Sequence, residues 1–384
     1  MAEFSATGAT EQLPTIGVAV VGTGFGQKIH IPGFKAHSRT EVVAVYHRDP
    51  DQANAIANQY DIPYGCDRLE DILALPEVEA VSICTPPFLH YEMAKMVLEA
   101  GKHLLLEKPM TLKAAETQEL YQLATEKGVV AIPDFEFRFI PSWQLLAEYL
   151  EKDYVGKKRL IKIDCLFSSR ANPERPWNWY AQKDKGGGVL GAIGSHVFDY
   201  IHWLFGPVQR LCAQVSTAIP ARPDPNASNL LKPVDADDTC LLLLELADGT
   251  PCQLSISSVT YQGRGHFVEV YGDRGTLVLG SNNLKDYVHG FRLWAAPAGQ
   301  SLMEVQIPQR LAFAETYLDG RLAPFIRVVD YWVQAIDNGS VTTLSLKEGV
   351  YSQMLMDLTH ESHETRRWVE VDGQKATLRE QHKY

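Results

Sequence analysis

The chain has 384 residues, 45% of them hydrophobic and 22% charged, enough for two domains and a sizeable core. A net charge of −11 argues against a nucleic-acid binder, which needs a basic patch, and no run of about eighteen apolar residues offers a membrane span. Residues 1–13 lack the basic start and apolar core of a signal peptide and read as a flexible tail. The six cysteines show no CxxC and no framework spacing, which fits reduced thiols in a cytoplasmic protein.

In chain order, the β-branched run Ile16–Val21 stops at Gly22-Thr23-Gly24-Phe25-Gly26. This is the pattern of a buried parallel strand that turns on glycine into a helix. Glycines at 22 and 24 allow a tight turn and close approach of backbone N–H groups to a pyrophosphate, with the helix's positive end behind them. The full fingerprint would place its third glycine at 27, where this chain has Gln27; Gly26 comes one place early. Pro32 is expected to break or end the first helical turns. A strand follows over 41–46, then a helix over 50–60 opened by Asp49, and a short helix over 67–75. The strand 80–84 ends at Thr85-Pro86-Pro87, a helix over 91–100 stops at Gly101, and the strand 103–106 runs into Glu107-Lys108-Pro109. An amphipathic helix over 114–127 closes at Gly128, before a strand over 129–132. The alternation predicts an α/β fold, a doubly wound Rossmann-type domain over 14–136. Its chemistry belongs at the carboxyl ends of the strands, where Gly22, His47, Thr85 and Lys108 stand.

Beyond 136 the texture changes to a second domain over 137–384. A helix over 142–152 precedes longer strands at 160–168, 209–217, 239–246, 253–258, 267–271 and 275–279. Ala247-Asp248-Gly249 and Gly272-Asp273-Arg274-Gly275 are hairpin turns. The result is an open, mainly antiparallel sheet, one face covered by helices around 188–205, 323–338 and 347–361. The Pro-, Asn- and Asp-rich stretch 219–237 reads as a loop.

An NAD site calls for an acid about twenty residues past the glycine turn, to pair with the ribose 2′-hydroxyl. Here the strand ends Tyr46-His47-Arg48, with no acid at that end and an arginine placed to meet a 2′-phosphate. NADP(H) is therefore expected over NAD(H). The alternative is that Arg48 is a solvated loop charge and Asp49 serves the ribose. Lys108 at its strand end can stabilise charge on a substrate oxygen, or it is a surface lysine beside a turn. In Gly186-Gly-Gly through His196-Val-Phe-Asp199, an imidazole and a carboxylate three residues apart share a helical face. That pairing suits a proton acceptor, although a lone helical histidine is more often structural. His90 is either a cofactor contact or a helix-entry residue. Trp177 and Trp179 either stack on a sugar or close a domain interface. His and acid groups look too scattered for a metal cluster.

Taken together, Gly22-Thr-Gly24, Thr85-Pro86-Pro87 with His90, Ala100-Gly-Lys-His, Glu107-Lys108-Pro109, Arg138 with Pro141, Gly194-Ser-His196-Val-Phe-Asp199 and Arg367-Trp368-Val369 resemble the Gfo/Idh/MocA family of oxidoreductases over 14–371. The resemblance implies hydride transfer between a nicotinamide cofactor and a hydroxyl- or carbonyl-bearing carbon of a small molecule, usually a sugar or cyclitol. It also implies a homodimer or homotetramer formed through the C-terminal sheet. Lys108 would bind cofactor and substrate oxygen, and His196 would be the acid–base. Asp199 would hold a substrate hydroxyl or orient the site, with Trp177, Trp179 and Arg138 on the substrate side. Gly22, Gly24, Phe25, Gly26, His47, Arg48, Thr85, Pro86, His90 and Glu107 fall on the cofactor side. The Lys108–Pro109 bond is a candidate cis peptide. Many dehydrogenases of the family carry an Asp four residues before the His, where this chain has Ala192. Two other readings stay open: reduction of a non-sugar compound, a chemistry the family also includes, and, on the departure at 192, a cofactor-binding sensor without turnover.

Overall fold

The computed structural model describes residues 14–283, 285–339 and 343–371; the 1–13 tail lies outside them. Its first layer is a parallel sheet built from β1 (Ile16–Val21), β2 (Thr40–Tyr46), β3 (Tyr64–Cys66), β4 (Ala80–Ile83), β5 (His103–Leu106) and β6 (Ala131–Pro133), in the order β3-β2-β1-β4-β5-β6. Every residue of β1 is buried, as a central strand covered on both faces requires. The crossovers are α1 (Ile31–Ala36), α2 (Pro50–Gln59), α3 (Leu69–Leu73), α4 (His90–Glu99) and α5 (Ala114–Lys127). Asp49 caps α2 by accepting from the N–H groups of Asp51 and Gln52, and Gly128 at φ +66° closes α5.

Pro32 does not end its helix. A wide π-turn over Gly26–His30 runs into α1, and Pro32 sits in the first turn of α1. A proline there gives up an N–H that the helix start leaves unbonded anyway, and the widened turn spares the ring a clash with the preceding turn.

The chain then passes through α6 (Pro141–Glu151) to β7 (Lys158–Leu166), α7 (Ser195–Phe205), β8 (Val208–Ser216), β9 (Ala221–Pro223) and β10 (Leu231–Pro233). It continues through β11 (Thr239–Leu246), β12 (Pro251–Ser257), β13 (Gly265–Gly272), β14 (Gly275–Ser281), α8 (Tyr287–Gly290), β15 (Arg292–Pro297) and β16 (Met303–Val305). The last elements are α9 (Leu322–Asn338), α10 (Leu346–Thr365) and β17 (Val369–Glu370). The second sheet has nine strands in the order β16-β15-β14-β13-β7-β12-β11-β8-β17; β7 and β12 run parallel, and every other pair is antiparallel. Alternation along β11 sends Cys240, Leu242, Leu244 and Leu246 into the core and leaves Leu241 and Leu243 on the open face. The stretch expected as a loop over 219–237 contains the β9–β10 ribbon, short enough to escape a pattern search.

One helix departs from expectation. α9 does not cover the nine-stranded sheet. Phe325, Val328, Val329 and Trp332 are fully buried in one cluster with Val18, Val20, Ile29, Ile31 and Phe34 of the parallel-sheet layer. Each such side chain contributes roughly 1.5–3 kcal/mol of burial. Gly33 makes the approach possible: a Cβ there would stand 2.4 Å from Cδ1 of Phe325. Helical amphipathicity shows that a face is buried, not which sheet buries it. α7 and α10 do pack on the second sheet, and a Ser345–Glu348 capping box opens α10.

Candidate active site

A cleft of about 990 Å³ opens at the carboxyl ends of the parallel strands. Gly22, Gly24, Phe25, His47, Arg48, Thr85, Pro86, Glu107, Lys108, Trp177, Trp179 and Ala192 line it. Each strand end contributes because parallel strands finish on one side, and a doubly wound sheet leaves a crevice where its order reverses, here between β1 and β4.

The glycines divide the work. Gly22 has φ +113°, and a Cβ on it would meet the Cys84 and Thr85 backbone at 2.7–2.8 Å, so it makes the turn. A Cβ on Gly24 would meet nothing within 4 Å, which leaves open backbone for an anion at the start of the helix. Gly26 does not line the cleft; a Cβ there would lie 2.7 Å from the Cys84 sulfur and 3.2 Å from Val20. It performs the third glycine's task of close helix–strand packing one place early, and the π-turn that begins at Gly26 takes up the offset. A dinucleotide fits this cradle.

At the end of β2, Asp49 Oδ1 is spent on the α2 cap, and its N–H bonds His47 Nδ1. Arg48 is exposed at the cleft wall.

Lys108 is half-buried, follows a buried Glu107 and precedes a cis Pro109. Its Nζ donates to the carbonyl of Ala192 at 3.4 Å. His196 lies behind the cleft wall, 4% exposed, its ring edge-on to Phe137 at 4.7 Å and Phe135 at 6.1 Å. Its Nδ1 has no hydrogen-bond partner. Burial, then the charge of Lys108, holds the imidazole well below its usual pKa, so it is neutral at pH 7.

Two expected contacts are corrected. Asp199 does not orient His196: Arg138 takes both its oxygens, through Nε at 2.9 Å and Nη2 at 2.6 Å, and the pair is buried. Arg138 also donates to the Thr343 carbonyl. These two groups therefore tie α7 to the segment before α6 and stand away from the cleft lining. Sequence spacing put Asp199 on the His196 face but could not show that a guanidinium arrives from elsewhere in the chain. His90 is no cofactor contact; it is the first residue of α4, 1% exposed, with Nε2 2.7 Å from the Thr85 carbonyl and Nδ1 2.9 Å from the Pro109 carbonyl. It clamps the Thr-Pro-Pro and Lys-Pro segments together. Trp177 and Trp179 do line the cleft, but Trp177 donates to the Pro233 carbonyl and carries the Lys232 ammonium 3.5 Å over its ring.

Acid and imidazole groups are not scattered everywhere. His30, Glu107 and Asp134 present ligand-capable atoms within 4.8 Å of one another, all buried. With Glu136 they form an interior group that the sequence reading missed. The signal was available: Asp134 follows β6 as Glu107 follows β5, and the strand-end rule applies to both. All six cysteines are free thiols, and among the described residues no helix is long and apolar enough to cross a membrane.

The family model described as "Oxidoreductase family, NAD-binding Rossmann fold" matches residues 16–135, and the "C-terminal alpha/beta domain" model of the same family matches 148–371. An uncharacterized oxidoreductase of Synechocystis is 57% identical over 358 residues, covering 93% of this chain and 96% of its own. Levoglucosan dehydrogenase of Pseudarthrobacter phenanthrenivorans is 25% identical over 397 residues, covering 94% and 99%. The solved structure of a levoglucosan dehydrogenase in complex with NADH and L-sorbose superposes with a TM-score of 0.84 at 24% identity, covering 94% of this chain and all of that one. Nicotinamide-dinucleotide binding, a Rossmann domain and oxidoreductase chemistry come with these matches: the chain belongs to the Gfo/Idh/MocA family of oxidoreductases.

Proposed function

We propose an NADP(H)-dependent oxidoreductase that moves a hydride to or from the hydroxyl or carbonyl carbon of a sugar-like or polyol substrate. The observation that carries this reading is the placement of Lys108 in one cleft with the open backbone of Gly24 and the guanidinium of Arg48. Gly22, Gly24, Phe25, Thr85 and Pro86 would hold the dinucleotide, with His47 and Glu107 beside it. Arg48 would meet the 2′-phosphate, a role favoured by the loss of Asp49 Oδ1 to the helix cap. When bound, the cofactor supplies the hydride acceptor or donor. Lys108 would bind the substrate oxygen and stabilise charge developing there. His196, neutral at pH 7, would exchange the proton of that oxygen. Trp179 would face the apolar side of the sugar ring, while Trp177, with one ring face covered by Lys232, closes the cleft.

A sugar substrate accords with a relative named D-xylose 1-dehydrogenase (NADP(+)) 2 of Haloferax volcanii, 25% identical over 354 residues. Leu160, Leu241 and Leu243, 38–54% exposed on the open face of the nine-stranded sheet, support assembly as a homodimer or homotetramer through that face. The free thiols support a cytoplasmic setting. This reading keeps the division of the chain at 136 into a cofactor half and a substrate half.

Fluorescence titration with NADPH and with NADH is the test, followed by a screen with NADP⁺ against D-xylose, levoglucosan and related sugars and polyols. Tight NADPH and weak NADH binding are expected; preference for NADH removes Arg48 from the argument. A second reading, a sensor that binds cofactor without turnover, rests on Ala192. It predicts tight binding and no oxidation of any compound in the screen.

A further inference from the structure

A second cavity, of about 590 Å³, backs onto the first: Pro109 and Gly186 line both, so the two share a wall. The start of α5, the turn over 183–191, the segment before β11 and one side of α10 complete its lining. Its charge is the reverse of the first cavity's, where Lys108 and Arg48 stand. Five acids line it, Glu116, Asp184, Asp235, Asp237 and Asp357, against two lysines, Lys113 and Lys183. Lys183 is exposed and paired with Glu364 at 3.2 Å. His360 adds no positive charge at neutrality, because burial lowers its pKa to about 4.

Four of these acids are held in place by backbone. Asp357 accepts from the Ala114 N–H at 2.9 Å, Glu116 from Leu112 at 3.1 Å, Asp235 from Lys183 at 2.8 Å and Asp237 from Leu190 at 2.7 Å. Each bond occupies one carboxylate oxygen, and a carboxylate has lone pairs for more. Beside Asp357, Gln353 also lines the cavity and is 4% exposed. Its Nε2 donates to Asp357 Oδ1 at 3.3 Å, while its Oε1 has no hydrogen-bond partner. A buried acceptor is seldom left so; this one calls for a donor, and the excess of acids around it calls for a positive one. A bare metal ion does not suit the set. Among the described residues, His30, Glu107 and Asp134 are the group of three whose ligand atoms lie within 4.8 Å of one another, so the acids here are too dispersed for three to share one ion. Leu112, Leu190 and Met356 add apolar surface to the lining, which suits a chain of methylenes.

We propose that this cavity is a second ligand site, built for a linear aliphatic diamine. One ammonium group donates to Gln353 Oε1 and Asp357 on α10, the other is held by Asp235 and Asp237 before β11, and the methylenes lie on Leu190 and Met356. None of the residues assigned above to cofactor or substrate takes part, so the site stands whether or not the functional reading does.

Calorimetric titration of the full-length protein with 1,4-diaminobutane is the test. Burial raises Asp237 to about 6, and a titration at about pH 8 keeps it ionised. One site per chain with a Kd of about 0.1 mM is expected at low salt. 1,4-Butanediol, the same chain without charge, should not bind. Gln353→Leu and Asp357→Asn should each weaken the diamine about tenfold. Glu126→Gln removes an exposed acid at the far end of α5 and should leave the affinity unchanged. A chain of net charge −11 attracts any cation diffusely, so a loss in Glu126→Gln equal to that in the α10 variants overturns the proposal. So does an affinity that either α10 variant leaves unchanged, or no binding at all. Should the variants not fold, amide hydrogen exchange of the wild type decides: 1,4-diaminobutane should slow exchange over 112–116 and 183–191, and protection of neither segment overturns the site.

Discussion

Two glycine segments border the cleft, and they serve opposite ends. In the first, Gly22 and Gly26 pack against Cys84 so that Gly24 can present open backbone to a ligand. In the second, no glycine is spare. A Cβ on Gly186 would strike Leu112 and Pro87 at 2.8 Å, one on Gly187 would strike the Tyr180 carbonyl at 2.4 Å, and one on Gly188, at φ +102°, would strike Asp237 at 2.4 Å. Gly186 does touch the cleft, yet this segment is shaped by its own chain. Asp237 accepts from the Leu190 N–H at 2.7 Å and so fixes the start of the turn that leads to His196. A run of glycines in a sequence thus marks close approach without saying whether the neighbour is a ligand or the protein itself.

The contrast can be broken at the second segment first. Asp199→Ala leaves Arg138 buried without its partner and should cost about 3–5 kcal/mol of stability, read by denaturant melts. A variant of wild-type stability would return Asp199 to the substrate side. His196→Ala should lower the turnover of the folded protein roughly 10²-fold; unchanged turnover removes His196 from the chemistry. Gly188→Ala combines strained backbone with the clash at Asp237, and about 2 kcal/mol should be lost while NADPH affinity of the folded fraction persists. Gly24→Ala is the mirror image and the smallest effect. Stability should hold, and NADPH should bind about tenfold more weakly as the methyl crowds the phosphate-side backbone. A lower melting temperature with intact binding would mean that Gly24 packs against protein after all.

Much of this was legible in the chain. The strands β1, β4 and β5 and the helix α5 follow from apolar runs that end at glycine, proline or a polar strand tip, and local chemistry of that kind survives folding intact. The cleft residues Gly22, Gly24, Arg48, Thr85 and Lys108 were found by the same route, because parallel strands end on one side. What escaped was pairing across the chain. Arg138 and Asp199 are 61 residues apart, and Tyr287 and Glu136 are 151 apart. No periodicity reports such contacts, so a carboxylate assigned to a substrate proved to be bonded to an arginine. β16 and β17 escaped for another reason: short edge strands lack the repeated alternation that identifies β11.

The seat of α9 bears on how the molecule is made. A ribosome delivers the parallel-sheet strands by residue 133, but the side chains that close one face of their core arrive only with Phe325 through Trp332. Until then that half presents Ile29, Ile31 and Phe34 to whatever is near, and a fragment ending at residue 136 would do so permanently. The first half thus borrows the last wall of its core from the second.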